Sequence, residues 1–349
     1  MDKVIETLIL TQEDILKAGC FDIGMAIDTA RDAVLSYAAG RILYPDKVSQ
    51  IFDESTQCRT NCLPATLFDE QVSGMKWVSV FPTNNARFGL QNLTAVILLS
   101  STQTGFPLVF MEGTLISNMR TAAVSALAAQ YLARKECETI GFVGAGEQAK
   151  FHFLSMKKVR PELKRCFVAS RTAVTEDRFI SDLAPLFPDT EFIPCRGDYE
   201  RSVSNADIIV SAISGQVPII QSQWIKPGAF YAHVAGWEDD YSVPLMASKI
   251  VCDNWNSVKH RTQTLSRLYK MGRLSDGDIY CDLDKLLTGA LPGRENDTEF
   301  IYFNAVGLSY VDVALADRVY KTCRAKGLGT PLNMQDADVF AVLREEKQC

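Results

Sequence analysis

Three cations sit where apolar residues are expected. Lys76 lies between Met75 and Trp77, in the middle of the run Met75-Lys-Trp-Val-Ser-Val-Phe81. Arg59 belongs to a segment that turns apolar toward Leu63, and Arg120 begins the stretch Arg120-Thr-Ala-Ala-Val-Ser-Ala-Leu-Ala-Ala-Gln130. Burying a charge costs several kcal/mol unless a partner answers it. Cations on apolar elements therefore point to an anionic ligand, such as substrate carboxylates. Each one taken singly reads better as an outward-facing residue or the partner of a nearby acid. That plainer reading is weakest for Lys76, because a desolvated lysine has a depressed pKa and can relay protons. Acids of interest follow in His233-Val-Ala-Gly-Trp-Glu-Asp-Asp240, where Glu238 or Asp239 can serve as a general base. Spacing does not choose between those two, and a solvated acidic turn fits them as well.

A second constellation is Thr139-Ile-Gly-Phe-Val-Gly-Ala-Gly-Glu-Gln148. Ile140, Phe142 and Val143 read as a buried strand, Gly144-Ala145-Gly146 as a turn, and Glu147 to Val159 as a helix. This is the geometry of a pyrophosphate cradle, in which glycines let the backbone approach the phosphates and the first helical N–H groups point at them. Ala149 fills the third small position of the fingerprint. A second strand, Arg165-Cys-Phe-Val-Ala169, ends in Ser170-Arg171-Thr172, where NAD enzymes carry an acid for the ribose 2′-hydroxyl. A guanidinium between two hydroxyls suits a 2′-phosphate instead. The cofactor expected is NAD or NADP, with NADP favoured. Arg171 reads otherwise as a solvated loop residue.

These residues need elements to hold them. Thr7–Leu10 reads as a strand, Thr11 as the N-cap of a helix with Asp14 at its third position, and Ile23–Ala39 as a helix closed by Gly40. Residues 42–112 read as strands of an antiparallel sheet. Residues 114–135 form a helix rich in alanine, and 139–256 alternate strand and helix in the rhythm of a parallel sheet. Residues 257–290 read as mostly helical, 299–307 as strand and turn, 310–325 as helix, and 327–334 as extended. The fold expected is α/β: a Rossmann-like doubly wound parallel sheet, residues 116–317, inserted in a discontinuous α+β domain, 1–115 with 318–349. The outer domain would bind substrate and form a homodimer across its sheet.

The chain has 349 residues, 47% apolar and 22% charged, as in ordinary globular proteins. A net charge of −6 gives no basic field for nucleic acid. No apolar run approaches the roughly 20 residues of a membrane span, and the first residues lack a signal-peptide layout. Ten scattered cysteines and three histidines, His152, His233 and His260, show no ligand spacing, so no metal is expected. The cysteines read as reduced thiols of a cytoplasmic protein.

Lys76 in Gly-Met-Lys-Trp-Val, Met119-Arg-Thr-Ala-Ala-Val-Ser125, Gly144-Ala-Gly-Glu-Gln148 and the 233–238 turn resemble the ornithine cyclodeaminase/μ-crystallin family from about residue 5 to 335. The resemblance implies that Arg59, Lys76 and Arg120 bind substrate carboxylates, and that Glu238 stands where the family has a catalytic aspartate. It also implies that Asn92, Arg120, Thr121, Gly144, Ala145, Gly146, Glu147, Gln148, Ser170, Arg171, Thr172, Ser211, His233, Gly236 and Val306 border the dinucleotide. Two departures stand out: Glu238 is one methylene longer than aspartate, and Ser170-Arg171-Thr172 resembles the NADPH-binding members. The expected activity is NAD(P)-dependent oxidation at a C–N bond of an amino-acid-derived secondary amine, with Lys76 and Glu238 handling protons. Alternatives are cyclodeamination of ornithine, reduction of an imine or ketimine, and dinucleotide binding without turnover.

Overall fold

The computed structural model describes residues 6–213, 215–334 and 340–341, so parts of the segments 1–115 and 318–349 expected in the outer domain lie outside the described residues. Strands β1 (Glu6–Leu10), β2 (Ile42–Leu43), β3 (Val48–Asp53), β4 (Cys58–Leu67), β5 (Val72–Val80), β6 (Leu93–Ser101), β7 (Pro107–Glu112) and β18 (Thr330–Asn333) make one sheet. Its order is β18-β1-β7-β6-β5-β4-β2, with β3 beside β4. The neighbours from β4 to β7 are antiparallel, joined by short turns at 68–71 and 102–106 and by a longer connection at 81–92, whereas β1 joins β7 in parallel. Strand side chains alternate between faces. Leu63, Lys76, Ile97 and Met111 thus share one buried cross-strand row, and Cys62, Trp77 and Val96 form the next row, facing the other way.

Helix α1 (Gln12–Lys17) starts as its sequence predicts, with Thr11 and Asp14 closing a capping box. Helix α2 (Ile23–Ala38) is capped by Asp22, which accepts from Met25 N at 3.1 Å. A short α3 (Asn84–Phe88) interrupts the strands. In α4 (Thr114–Leu132) every residue except Thr121, Gln130 and Tyr131 is buried. A helix apolar on all sides belongs inside the protein, and α4 packs against α2 and β6 on one side and the second sheet on the other. The Glu112 carboxylate accepts from Thr114 N and Leu115 N, answering two of the free donors at its start.

The second sheet is wholly parallel, in the order β10-β9-β8-β11-β13-β17-β15-β16. Its strands are β8 (Thr139–Val143), β9 (Arg165–Ala169), β10 (Glu191–Pro194), β11 (Ile208–Ser211), β13 (Phe230–His233), β15 (Lys249–Cys252), β16 (Cys281–Asp282) and β17 (Ile301–Asn304). The helices between them are α5 (Glu147–Val159), α6 (Ala173–Leu183), α7 (Tyr199–Ser204), α8 (Ser242–Leu245), α9 (Trp255–Val258), α10 (Thr264–Lys270) and α11 (Leu283–Leu287). The chain then returns through α12 (Ser309–Ala325), which packs on α2, β4 and β5. The protein is therefore α/β, with a Rossmann-like sheet between the strands of a mixed sheet. No helix among the described residues is long and apolar enough to cross a membrane.

Two local expectations differ. Residues 257–290 break into short helices at Gly272 and Gly289, both with positive φ, and include strand β16. The segment read as a turn after His233 contains β14 (Trp237–Asp239), paired in parallel with β12 (Gln216–Ile220). Three residues are too few to display a strand period.

At Gly141, in the middle of β8, a Cβ would lie 2.1 Å from Ser202 O of α7. Gly141→Ala is expected to push α7 off the sheet and lower stability by about 1–3 kcal/mol, read as a lower urea midpoint. A variant as stable as the parent would contradict this packing.

Candidate active site

Strand β5, helix α4 and helix α12 meet at one carboxylate. Lys76 Nζ donates to Asp312 Oδ1 at 2.8 Å and to Ser117 Oγ at 2.9 Å. Arg120 Nε donates to the same Oδ1 at 2.7 Å. Exposure is 1% for Lys76, 6% for Arg120 and 0% for Asp312. Two cations are thus answered by one anion, and Asp312 Oδ2 has no protein partner. Burial, reinforced by the Arg120 charge, pulls the Lys76 pKa down to about 8 against the opposing pull of Asp312. The Arg120 guanidinium lies on Gly307, where φ is +95° and a Cβ would come within 2.9 Å of Nη1.

Arg59 lies on the same sheet face as Lys76. Its strand position is four residues from Leu63, the cross-strand neighbour of Lys76, a span of about 13 Å. It is half-buried, Nη1 donates to Gln57 O at 2.9 Å, and burial lowers its pKa. It has no ion-pair partner among the described residues.

The glycine turn has the form its sequence implies. Gly144 has φ +107°, and a Cβ there would meet Ala212 O at 2.7 Å. Gly146 is the N-cap of α5, no side chain caps that helix, and the space beside Gly146 is open. Uncapped N–H groups, an open approach and a tight turn fit a dinucleotide pyrophosphate. Ala145 is buried, Glu147 is exposed and paired with Lys150, and Gln148 Nε2 donates to Asn118 Oδ1 at 2.6 Å. Thr121 Oγ1 donates to Ser117 O at 2.7 Å. One turn of α4 therefore touches both the glycine turn and the cation pair.

Beyond β9, Ser170 is buried, with its hydroxyl on Thr172 O and Thr175 Oγ1. Arg171 and Thr172 are exposed. The acid nearby is Glu176, fully buried and occupied by backbone: it accepts from Ser170 N at 2.8 Å, Gly197 N at 2.9 Å and Arg196 N at 2.7 Å.

Ser211, His233 and Asn304 line up across the carboxyl ends of β11, β13 and β17. Ser211 Oγ bonds Tyr231 Oη at 2.8 Å, and His233 Nδ1 bonds Asn304 Oδ1 at 3.0 Å. Glu238 and Asp239 are fully buried in this second cluster. Glu238 Oε1 accepts from Ile213 N at 2.9 Å and Gly236 N at 3.3 Å, while its Oε2 has no partner. Asp239 accepts from Thr264 Oγ1 and lies 3.4 Å from His233 Nε2. Burial raises the pKa of both acids, and His233 opposes the rise.

Lys76 and Arg120 are thus brought together, and Arg59 shares their face. No hydrogen bond or ion pair among the described residues joins Glu238 to Lys76, whose acid is Asp312. Asn92 is exposed and accepts from Asn85 N at 2.9 Å, outside both clusters. Val306 N donates to Asp253 Oδ2 at 2.8 Å, as does Gly307 N. Sequence reading missed Asp312, although Ser309-Tyr-Val-Asp-Val-Ala-Leu315 places an acid in an apolar run, the signal that singled out Lys76. Asp253, Gln263 and Asn304 carried no such signal.

Removing the charge at the junction of the three elements leaves two buried cations facing each other. Asp312→Asn is expected to cost about 3–5 kcal/mol of stability, measured by urea denaturation. A loss under about 1 kcal/mol would mean that the carboxylate does not hold them.

The model of the ornithine cyclodeaminase/mu-crystallin family matches residues 5–327. The chain is 28% identical to N-((2S)-2-amino-2-carboxyethyl)-L-glutamate dehydrogenase of Staphylococcus aureus, over 94% of this chain and 99% of that protein. It is 31% identical to alanine dehydrogenase of Archaeoglobus fulgidus, over 94% and 98%. Among solved structures, Thermococcus litoralis Δ1-pyrroline-2-carboxylate reductase with NADH and L-proline superposes with a TM-score of 0.88 at 27% identity, covering 93% of this chain and all of that one. An archaeal alanine dehydrogenase dimer with bound NAD gives 0.86 at 28% identity, covering 95% and 100%.

Proposed function

The chain belongs to the ornithine cyclodeaminase/mu-crystallin family, and from that premise we propose that it is an NAD(P)-dependent dehydrogenase acting on the C–N bond of an amino-acid-derived secondary amine that carries several carboxylates. The preferred substrate is N-(2-amino-2-carboxyethyl)-L-glutamate or a close analogue, giving 2-oxoglutarate and 2,3-diaminopropionate. The observation that carries this reading is the shared Asp312 oxygen: Lys76 and Arg120 leave one buried positive charge unanswered. A substrate carboxylate answers it, and Arg59, about 13 Å along the same face, suits a second carboxylate. Alanine and proline have only one.

The bound nicotinamide supplies hydride-accepting chemistry at the carbon that bears the nitrogen. Lys76 and Arg120 hold the substrate carboxylate and fix that carbon, a positioning effect on the order of several kcal/mol. Glu238, with Oε1 held by two backbone donors and Oε2 free, takes the proton from the amine and serves the water that opens the imine. Gly144, Ala145, Gly146 and the start of α5 would hold the pyrophosphate, with Gln148, Arg120 and Thr121 beside it. NADP(H) is the preferred cofactor, because the buried acid beside the end of β9, Glu176, is committed to backbone N–H groups and Arg171 is exposed at the rim.

The reading also includes a homodimer across the outer face of the first sheet. Trp77 and Phe110 are 40% and 42% exposed there, among Met75, Val96 and Leu98. A dimeric archaeal relative supports it. Sedimentation at twice 38.7 kDa is expected, and a monomer at micromolar concentration would remove the dimer from the proposal.

One assay tests the function: the protein with candidate secondary amino acids and each cofactor, following nicotinamide absorbance and released ammonia together. The expected outcome is reduced cofactor without ammonia, faster with NADP. Ammonia without absorbance change would identify a cyclodeaminase, and tight NADPH binding without turnover a binding protein. Lys76→Ala should abolish turnover at nearly unchanged dinucleotide affinity. In the parent, kcat/KM should fall as pH rises through about 8, because Lys76 loses the charge that holds the carboxylate. A fully active Lys76→Ala would remove this residue from the mechanism.

A further inference from the structure

Gln263 stands at the start of α10, nearly buried, and belongs to neither the glycine turn nor the cation pair. Its side chain nevertheless fixes a chain of proton positions. Nε2 faces two backbone carbonyls, Ala235 O at 2.7 Å and Ala305 O at 3.2 Å. A carbonyl only accepts, so this atom is the amide nitrogen and spends both of its hydrogens there. Oε1 is then the acceptor for Asn304 Nδ2, at 2.9 Å. That sets the Asn304 amide, whose Oδ1 faces His233 Nδ1 at 3.0 Å. The acceptor at Asn304 requires a hydrogen on Nδ1. His233 Nε2 is left without a hydrogen-bond partner, facing Asp239 Oδ1 at 3.4 Å in a space with no solvent access.

We propose that Gln263 is a positioning residue that sets the protonation pattern of His233: Nδ1 always carries hydrogen, and one further proton is shared between Nε2 and the Asp239 carboxyl. This inference rests on the reading of the strand ends as the reaction site, but its core concerns the proton pattern alone. The titratable groups facing the imidazole are Asp239 and Glu238 from β14, Tyr231 from its own strand and Tyr302 from β17. From α10 it meets only uncharged groups, Thr264 through Asp239 and Gln263 through Asn304. Tyr302 stacks on the ring at 5.7 Å between centroids, with an interplanar angle of 25°, so the imidazole cannot flip without unstacking. The His233–Asp239 pair adjoins Glu238 in sequence. Moving the shared proton changes the charge at His233, which acts on Glu238, and so the pH at which Glu238 can take a proton.

Only three histidines are present, so nitrogen-15 NMR of histidine-labelled protein, assigned with His152→Gln and His260→Gln variants, reads the tautomer directly. The expected His233 signals are those of a protonated Nδ1 at every pH at which the protein is folded. A wild-type spectrum with hydrogen on Nε2 alone would overturn the proposal without any Gln263 variant. Gln263→Leu removes both the donor and the acceptor. It should give mixed tautomers at His233 and move the kcat/KM pH profile by half a unit or more, and Gln263→Glu should not restore either. Unchanged His233 signals and an unchanged profile in Gln263→Leu would also overturn it. The spectrum needs no substrate, so it stands apart from the outcome of the activity assay.

Discussion

One buried carboxylate has to answer two cations delivered by different parts of the chain. Asp312 lies 236 residues from Lys76 and 192 from Arg120, so the arrangement exists only when α12 has packed back onto the first sheet. Neither cation is tolerable there alone, because the penalty for a charge out of water exceeds what a single serine hydroxyl returns. The carboxylate makes their burial possible and leaves the set one charge short of neutral. In a medium of low effective dielectric that remaining charge acts more strongly than any surface lysine. The fold's demand for a partner and the site's demand for an anion are therefore the same electrostatic fact seen from two sides.

Helix α4 turns that fact into geometry. Successive helical residues are rotated by about 100°, so Ser117, Asn118 and Arg120 leave one turn in different directions. Ser117 meets Lys76, Asn118 meets Gln148 behind the glycine turn, and Arg120 meets Asp312. Because nearly the whole helix is buried between the two sheets, it cannot rotate or slide without opening the core. The distance between the glycine turn and the Lys76–Arg120 pair is set by a rigid element rather than by a loop.

Most of the architecture was legible in the sequence, for identifiable reasons. Glu147–Val159 and the capping box at Thr11 matched because glycine turns and caps are local signals. The parallel sheet was legible from the alternation of buried runs with helices. Strand β14 was not, because Trp237–Asp239 is held by pairing with β12 and has no period of its own. In the site, cations on apolar strands stood out and Lys76 and Arg120 do meet, yet the acid that joins them was overlooked on a helix near the chain's end. The Gln263–Asn304–His233 chain is invisible to pattern, since amides and carbonyls meet there only through tertiary packing.

The two polar clusters divide the labour that the proposed reaction needs. Lys76, when protonated, donates to Asp312 and Ser117 and has no lone pair to take a proton from an amine. Glu238 has an oxygen without a hydrogen-bond partner and no lysine or arginine ion pair among the described residues, so it is suited to taking a proton; as an acid it is unsuited to gripping a carboxylate. Consecutive residues connect them: Asn304 holds His233, Ala305 O accepts from Gln263, Val306 N and Gly307 N are held by Asp253, and Gly307 backs Arg120. A displacement of this segment moves the backing of the cation and the partner of the imidazole together. In the proposed reaction, anion grip and proton uptake would be separate in chemistry and joined in mechanics, so that a substrate held by its carboxylate would stay in register with the group that handles its nitrogen.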